Sequence, residues 1–384
     1  VSEIAVWKNK NGRVLSEETI SDLVGKYDTP LFVIVRDSII RNFRAFKKYF
    51  PGVEPFYAVK ANPHPSIVQV LHEEGSSFDV ASKNEIELAL RCGVSPGNLI
   101  FANTIKRKKG IRFAKEMGVS LFTFDNDNEI GKMASIFPGA EVLLRLKTAS
   151  EGSRINLSYK FGAEEQEAMK LLRKARGAGL RPVGFSFHVG SPCHNPHNYT
   201  VTLQVVENLV SEAAAEGFEL KVVDIGGGFP LHLTRDENPV ESVESMAEAV
   251  FPHLSECMRR GIRVIAEPGR CLVGSACVLI TKVIGKARRS GRYWYYLDDG
   301  IYGTFSAVPF DKATFDFHTF HRDVPLEPCV LAGPTCDSLD VIAEDVLIPP
   351  LELDDKIIVE DIGAYSWASA TAFNGFEKPT VVLV

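Results

Sequence analysis

At about 100–200 residues per domain, a chain of 384 residues holds two domains or three, which excludes a small disulfide-stapled scaffold. Its 45% hydrophobic and 24% charged residues form a globular balance that excludes a disordered chain. With 43 Lys and Arg against 49 Asp and Glu, the net charge of -6 offers no basic field for a phosphate backbone, so no nucleic acid partner is expected.

Between residues 55 and 270, short β-rich runs alternate with longer amphipathic ones. The runs are Phe56–Val59, Phe78–Ala81, Leu99–Ala102, Leu121–Phe124, Val142–Leu146, Val183–His188, Val222–Ile225 and Ile262–Ala266. Between them apolar residues recur at three- and four-residue spacing, as at Ile67, Val70 and Leu71, which predicts helices. Strand–helix alternation without hairpin turns implies a parallel sheet, and eight units are the number that closes a (β/α)8 barrel. The barrel is predicted over residues 36–273. The basic run Lys106–Lys109 is expected to be a solvated helix start. After 274 the texture changes to β-rich runs with polar and Pro-containing loops, which predicts a mainly antiparallel β domain over 274–384, with residues 1–35 able to join it.

No apolar stretch approaches the ~18 residues of a bilayer span, and the first thirty residues mix acids with bases, so a soluble, cytoplasmic protein with no membrane partner is expected. Val1 suggests a trimmed start. Seven cysteines without C-x-x-C spacing suit reduced thiols.

Barrel enzymes carry their chemistry where strands run out into the βα loops, so the polar residues at those ends are informative. Here they are Lys60, Asp79 and Ser82, Arg145, His188 and Ser191, Gly226-Gly227-Gly228, and Glu267-Pro268-Gly269-Arg270. A strand-end lysine is often a snorkelling surface residue, but in an apolar mouth desolvation favours the free amine that Schiff-base chemistry requires. The three glycines make either an ordinary turn or a phosphate cradle of backbone N–H groups. Gly269 and Arg270 from the next strand end favour the cradle, since phosphate sites in barrels usually lie after strands 7 and 8. Glu267 follows an apolar run and needs a partner, either Arg145 or Arg270 in an ion pair or a pyridine nitrogen that it keeps protonated. His188 reads as a satisfied core histidine or as a ring-stacking, proton-handling group. Cys193-His194-Asn195-Pro196-His197 lacks zinc-ligand spacing, so no metal is expected.

In this order the residues resemble the ornithine decarboxylase branch of the barrel-type (fold type III) pyridoxal 5'-phosphate (PLP) amino-acid decarboxylases. The pieces that carry the resemblance are Tyr57-Ala-Val-Lys-Ala-Asn62, Phe78-Asp-Val-Ala-Ser82, His188-Val-Gly-Ser191, Asp224-Ile-Gly-Gly-Gly-Phe-Pro230, Glu267–Arg270, Asp299-Gly-Ile-Tyr-Gly-Thr-Phe305, Gly333-Pro-Thr-Cys-Asp337, Gly363-Ala-Tyr365 and Phe373-Asn-Gly-Phe376. They span nearly the whole chain.

The resemblance implies that Lys60 holds the cofactor as an imine, that His188 stacks on its ring and that Glu267 faces the ring nitrogen. It places Ser191, Gly228, Gly269, Arg270 and Tyr365 around the phosphate, and Asp79, Glu85 and Arg145 in the polar shell of the lysine and ring. It makes Cys336 the proton donor to the substrate α-carbon and Lys160 a lysine that bridges subunits. It further implies a homodimer with shared active sites, Cys336 and Asp337 reaching the partner's cofactor. Asp311 and Asp337, with Tyr302 and Phe373, would bind the substrate. The two acids suit a diamino acid, and Asp at 311 suits L-ornithine, giving putrescine. Lysine is one methylene longer, a difference worth only ~1–3 kcal/mol, so cadaverine from L-lysine is a companion expectation. Within the family, Asp337 and Asp311 weigh against a diaminopimelate or an arginine decarboxylase, and Glu267 against a racemase. An inactive regulatory homologue would lack cofactor residues that this sequence retains. Because the sequence runs only a short way past Phe376, the tail some eukaryotic members of the family use for regulated degradation is not expected.

Overall fold

Eight short strands, each on or beside a predicted run, close into a parallel barrel: β1 (Glu54–Ala58), β2 (Ser77–Asp79), β3 (Leu99–Phe101), β4 (Leu121–Phe124), β5 (Glu141–Leu146), β6 (Arg181–Phe187), β7 (Val222–Asp224) and β8 (Arg263–Ala266). Pairing of Ile265 with Glu54 and of Ala266 with Pro55 returns β8 to β1 and completes the ring. These positions come from a computed structural model that describes residues 6–8, 14–234, 238, 242–320 and 324–384; residues 1–5 and 9–13 of the predicted N-terminal segment lie outside the described residues.

The barrel interior is packed. Phe56, Ile100, Ala102, Leu121, Leu143, Val183, Val222 and Ile265 form one buried cluster, so the lumen is filled by side chains. Around it run α1 (Pro65–Glu73), α2 (Lys83–Arg91), α3 (Lys108–Met117), α4 (Asp127–Ile136), α5 (Ala168–Gly177), α6 (His197–Ala215), α7 (Val243–Arg259) and the short α8 (Arg270–Val273). Local sequence sets their ends. The Ser82 and Asn126 side chains cap α2 and α4 by accepting the N–H groups of Glu85 and Glu129, and Gly118 ends α3 in the left-handed region at φ 85°.

The expectation of a solvated start at Lys106–Lys109 is corrected at its first residue. Lys106 is buried, its Nζ 3.0 Å from Oε1 of Glu129, and it donates to the carbonyls of Asn103, Thr104 and Thr123 at 2.9, 3.3 and 2.6 Å. This set replaces the ammonium's water, while burial still pushes its pKa down to about 8. Arg107, Lys108 and Lys109 remain exposed.

By internal contacts the chain divides into two units, Ile39–Leu272 and the combination of Val1–Ser38 with Val273–Val384. In the second, the strand Leu31–Ile34 pairs antiparallel with Cys277–Arg289 and parallel with Thr380–Leu383. Cys277–Arg289 also pairs antiparallel with Lys356–Val359 and with Arg292–Leu297. Glu327–Ala332 lies parallel to Arg292–Leu297 and antiparallel to Val341–Ile348, so the unit is mainly but not wholly antiparallel. Leu15, Ile20, Leu31, Val33, Val278, Ile280 and Ile358 form its core. Among the described residues no helix is long and apolar enough to cross a membrane.

Candidate active site

At the end of β1 the chain tightens into a single 3-10 turn, Val59–Ala61, and the Ala58 N–H donates to the Pro268 carbonyl at 3.0 Å, tying this turn to the loop after β8. Val59 and Ala61 are buried while Lys60 projects outward. Its side chain is 42% exposed, and Nζ lies 3.4 Å from Oδ2 of Asp79, a side chain only 3% exposed at the end of β2. The expected desolvation of this lysine is therefore corrected: within the chain it is a half-solvated ammonium opposite a buried carboxylate, because the turn aims it away from its apolar neighbours. Beside it, Oε2 of Glu85 accepts the Ala81 N–H at 2.6 Å. Burial raises Glu85 to about 7, and the Asp79 charge adds to the effect.

β7 and β8 end on two buried acids, Asp224 and Glu267. Oδ1 of Asp224 accepts the Gly226 N–H at 2.9 Å, and the Glu267 N–H donates to the Gly226 carbonyl at 2.8 Å, so one turn fixes both. Burial, followed by the Asp224 and Asp79 charges, pushes Glu267 well above the usual carboxylate range; burial likewise raises Asp224. The charges acting most strongly on Glu267 are thus these acids, ahead of Lys60 and Arg145. Arg145, on β5, has no hydrogen-bond partner for its buried Nη2 among the described residues, and its guanidinium lies 5.1 Å from the Phe161 ring centroid.

His188 directly follows β6 and is buried. Its Nδ1 accepts the Gly190 N–H at 3.2 Å. Burial, then the Lys60 and Arg145 charges, holds its pKa well below 6.5, so the ring is neutral at physiological pH.

The glycines after β7 have a packing reason of their own. A Cβ on Gly227 would stand 2.5 Å from the Glu267 carbonyl oxygen, and one on Gly228, at φ 114°, 2.4 Å from the Gly190 carbonyl oxygen. Close approach of the neighbouring loops demands glycine there whether or not a phosphate binds. Ser191 opens the strand Ser191–Cys193, which pairs antiparallel with Ser153–Ile155. Gly269 accepts the Leu272 N–H at 3.0 Å and Arg270 opens α8. Lys160 is exposed, its Nζ 5.1 Å from the Phe161 centroid.

The described residues of the barrel unit thus offer a buried guanidinium nitrogen with no hydrogen-bond partner among them, a neutral imidazole, a turn without room for side chains, and a cluster of buried acids that raise one another's pKa. This set fits a flat ring with a protonatable nitrogen and an anionic tail.

Tyr302, Asp311, Cys336, Asp337, Tyr365 and Phe373 belong to the second unit. Cys336 is the one exposed thiol among the seven cysteines. Oδ1 of Asn374 accepts its backbone N–H at 3.1 Å and lies 3.3 Å from Sγ. The Tyr302 hydroxyl donates to Oδ2 of Asp337, the Leu339 N–H donates to Oδ1 at 3.0 Å, and these bonds hold Asp337 below the usual carboxylate range. The Tyr302 and Phe373 rings stack with centroids 4.3 Å apart. Asp311 is buried at the end of the short helix Ala307–Asp311, and Tyr365 takes φ 57°.

Sequence reasoning gave no role to Asp224 or Asn374. Asp224 lies inside the run read as Val222–Ile225, whereas the strand ends one residue earlier, on Asp224 itself. Asn374 lies 38 residues from Cys336, and only the fold brings them together.

Residues 36–274 match the family model described as the pyridoxal binding domain of pyridoxal-dependent decarboxylases. The chain is 38% identical over 379 residues to the lysine/ornithine decarboxylase of Selenomonas ruminantium, covering 97% of this chain and 94% of that one. It is 37% identical to antizyme inhibitor 2 of Xenopus laevis, over 96% of this chain and 84% of the relative. The crystal structure of the Vibrio vulnificus lysine/ornithine decarboxylase complexed with putrescine superposes with a TM-score of 0.89 at 37% identity, over 97% of this chain and 99% of that chain. The chain belongs to the ornithine decarboxylase family of fold type III PLP-dependent decarboxylases.

Proposed function

We propose that this PLP-dependent decarboxylase of basic amino acids converts L-ornithine to putrescine, with L-lysine to cadaverine as a second activity, as a cytoplasmic homodimer with shared active sites. The observation that carries the substrate assignment is Asp337, kept ionised by the Tyr302 hydroxyl and the Leu339 N–H. A fixed, charged carboxylate is the complement of a distal ammonium. The buried Asp311 supplies the second acid of the reading. The relatives named above support a pocket that accepts both chain lengths, since one is named a lysine/ornithine decarboxylase and another was crystallised with putrescine.

When bound, PLP supplies an electron sink for the pair left behind as carbon dioxide departs. The chain's residues do the rest. Lys60 would hold the aldehyde carbon, with Asp79 beside it to keep a proton at hand. Glu267 would keep the ring nitrogen protonated, and that positive charge relieves the repulsion among Glu267, Asp224 and Asp79. His188, being neutral, can lie against the ring without opposing it. Arg145 would spend its free Nη2 on the polar edge, while Ser191, Gly228, Gly269, Arg270 and Tyr365 would hold the phosphate. Cys336 gives its thiol proton to the α-carbon, and solvent restores it. The intact set supports an enzyme over a regulatory homologue.

The test is carbon dioxide release by the purified protein with PLP on L-ornithine, L-lysine, L-arginine and meso-diaminopimelate. Ornithine is expected first and lysine second. A dominant signal from diaminopimelate or arginine overturns the substrate assignment, and no release from any of the four overturns the reading as an enzyme.

A further inference from the structure

Three consecutive carbonyls of the turn after β7 are already taken. The Gly226 carbonyl accepts the Glu267 N–H at 2.8 Å, the Gly227 carbonyl accepts the Tyr199 hydroxyl at 2.9 Å, and the Gly228 carbonyl accepts the Cys193 N–H at 2.8 Å. In a planar trans peptide the N–H points opposite to the preceding C=O, so anchoring a carbonyl also aims the amide that follows it. The amides of Gly227, Gly228 and Phe229 are thereby turned away from Glu267, Tyr199 and Cys193, and they donate to no acceptor among the described residues. Two of the three anchors are main-chain donors that any residue but proline supplies. The third is a side chain. Tyr199, on α6, is fully buried, its ring centroid 6.2 Å from that of Phe187 and 5.9 Å from that of Phe229. Burial keeps its phenol protonated, hence a donor. The peptide it anchors joins two glycines, with Gly228 at φ 114°, and without a Cβ on either side the chain has little preference of its own for the way that peptide faces.

We propose that Tyr199 is a positioning residue for the cofactor's phosphate, holding the Gly227 carbonyl so that the Gly228 N–H is aimed into the cradle. The proposal rests on the reading that sets Gly228 against the phosphate, and Tyr199 acts only through the peptide between the two glycines. Without the hydroxyl the buried Gly227 carbonyl loses its partner and can regain one only by turning, which carries the Gly228 N–H with it. A run of amides binds an anion by its orientation, so loss of this anchor weakens the grip on a phosphate and spares the contacts to the ring and the aldehyde, which other residues supply.

The test is the affinity of the cofactor-stripped full-length protein for PLP and for pyridoxal, which lacks the phosphate, by absorbance titration of wild type, Tyr199→Phe and Arg270→Met. In Tyr199→Phe, PLP should bind about 2- to 10-fold more weakly, the scale of one hydrogen bond, with pyridoxal unchanged. Inorganic phosphate, read by its competition with PLP, should weaken by the same factor. A role confined to packing loosens the whole site, so equal losses for PLP and pyridoxal overturn the proposal, as does undiminished PLP affinity. Arg270→Met separates the proposal from the reading beneath it. If the preference for PLP over pyridoxal falls in Arg270→Met and not in Tyr199→Phe, the proposal fails and the phosphate cradle stands; if it falls in neither, both fail. Tyr199→Phe keeps the ring's packing against Phe187 and Phe229. Should it not fold, Tyr199→Met, which also lacks a donor, takes its place with the same expectations.

Discussion

Nζ of Lys60 lies 3.4 Å from Oδ2 of Asp79, an ammonium reaching into solvent opposite a carboxylate that does not. Borohydride reduction of the PLP-loaded protein should add the cofactor's mass to the peptide containing Lys60, and Lys60→Ala should show no adduct. Asp79→Asn should retain the adduct and form it faster at neutral pH, by about 2- to 5-fold, because losing a partly solvated counter-ion leaves more of the amine unprotonated. Slower formation in Asp79→Asn would mean that the carboxylate activates the lysine.

Glu267 and Asp224 bind protons more tightly in the folded chain than in the unfolded one. A raised folded pKa gives stability that is fully present below the ordinary carboxylate value and lost as pH rises through the folded value, about 7 for Asp224. The cofactor-free protein should therefore melt at progressively lower temperature from pH 5 to 8, an effect on the order of a few kcal/mol. Glu267→Gln should flatten that slope while abolishing decarboxylation. Thermal melts of both proteins across this range check it, and parallel slopes would refute it.

A neutral His188 contributes a face and no charge. His188→Ala should weaken PLP binding about 2- to 10-fold, the scale of a ring-stacking contact. Because the imidazole carries no proton above its depressed pKa, the pH dependence of PLP affinity from 6.5 to 8 should be the same in variant and wild type. Absorbance titration of the stripped proteins measures both quantities. Loss of a pH-dependent component in the variant would show that the histidine titrates in this range.

Tyr302 and Asp337 act as donor and acceptor of one hydrogen bond, and the two should separate kinetically. Asp337→Asn should raise KM for ornithine by about 10- to 100-fold, the range for a hydrogen bond to a charged group. Tyr302→Phe leaves the charge and loses only its orientation, so a smaller rise is expected, with kcat little changed. Steady-state kinetics on ornithine and lysine decide. A variant that lowers kcat at constant KM would place Asp337 outside substrate recognition.

The barrel was legible because its strands are short apolar runs separated by amphipathic stretches, and because most of these runs give way at once to a polar residue. The limits of reading appear at single side chains. Val59-Lys60-Ala61 reads as an apolar setting, yet a single 3-10 turn buries the flanking residues and turns the lysine outward. A run of bases at Lys106–Lys109 reads as solvated, yet the loop folds its first member back beneath the Thr123 carbonyl, where Glu129 neutralises it. Direction of a turn and depth beneath a loop are tertiary properties, and linear periodicity does not encode them. Asp224 was hidden inside the run Val222–Ile225 because the strand stops one residue before the run does, and nothing in Phe373-Asn-Gly-Phe376 points to a cysteine far up the chain.

The Gly226–Gly228 turn is hemmed in by the carbonyls of Phe187, Gly190 and Glu267. A phosphate held there as proposed would lie against a turn that no added side chain could enter. Such a socket is blind to which amino acid is being processed. Retuning this catalyst toward a longer or differently charged substrate would have to proceed through positions whose side chains are free to vary, with the glycine corner left as an invariant grip.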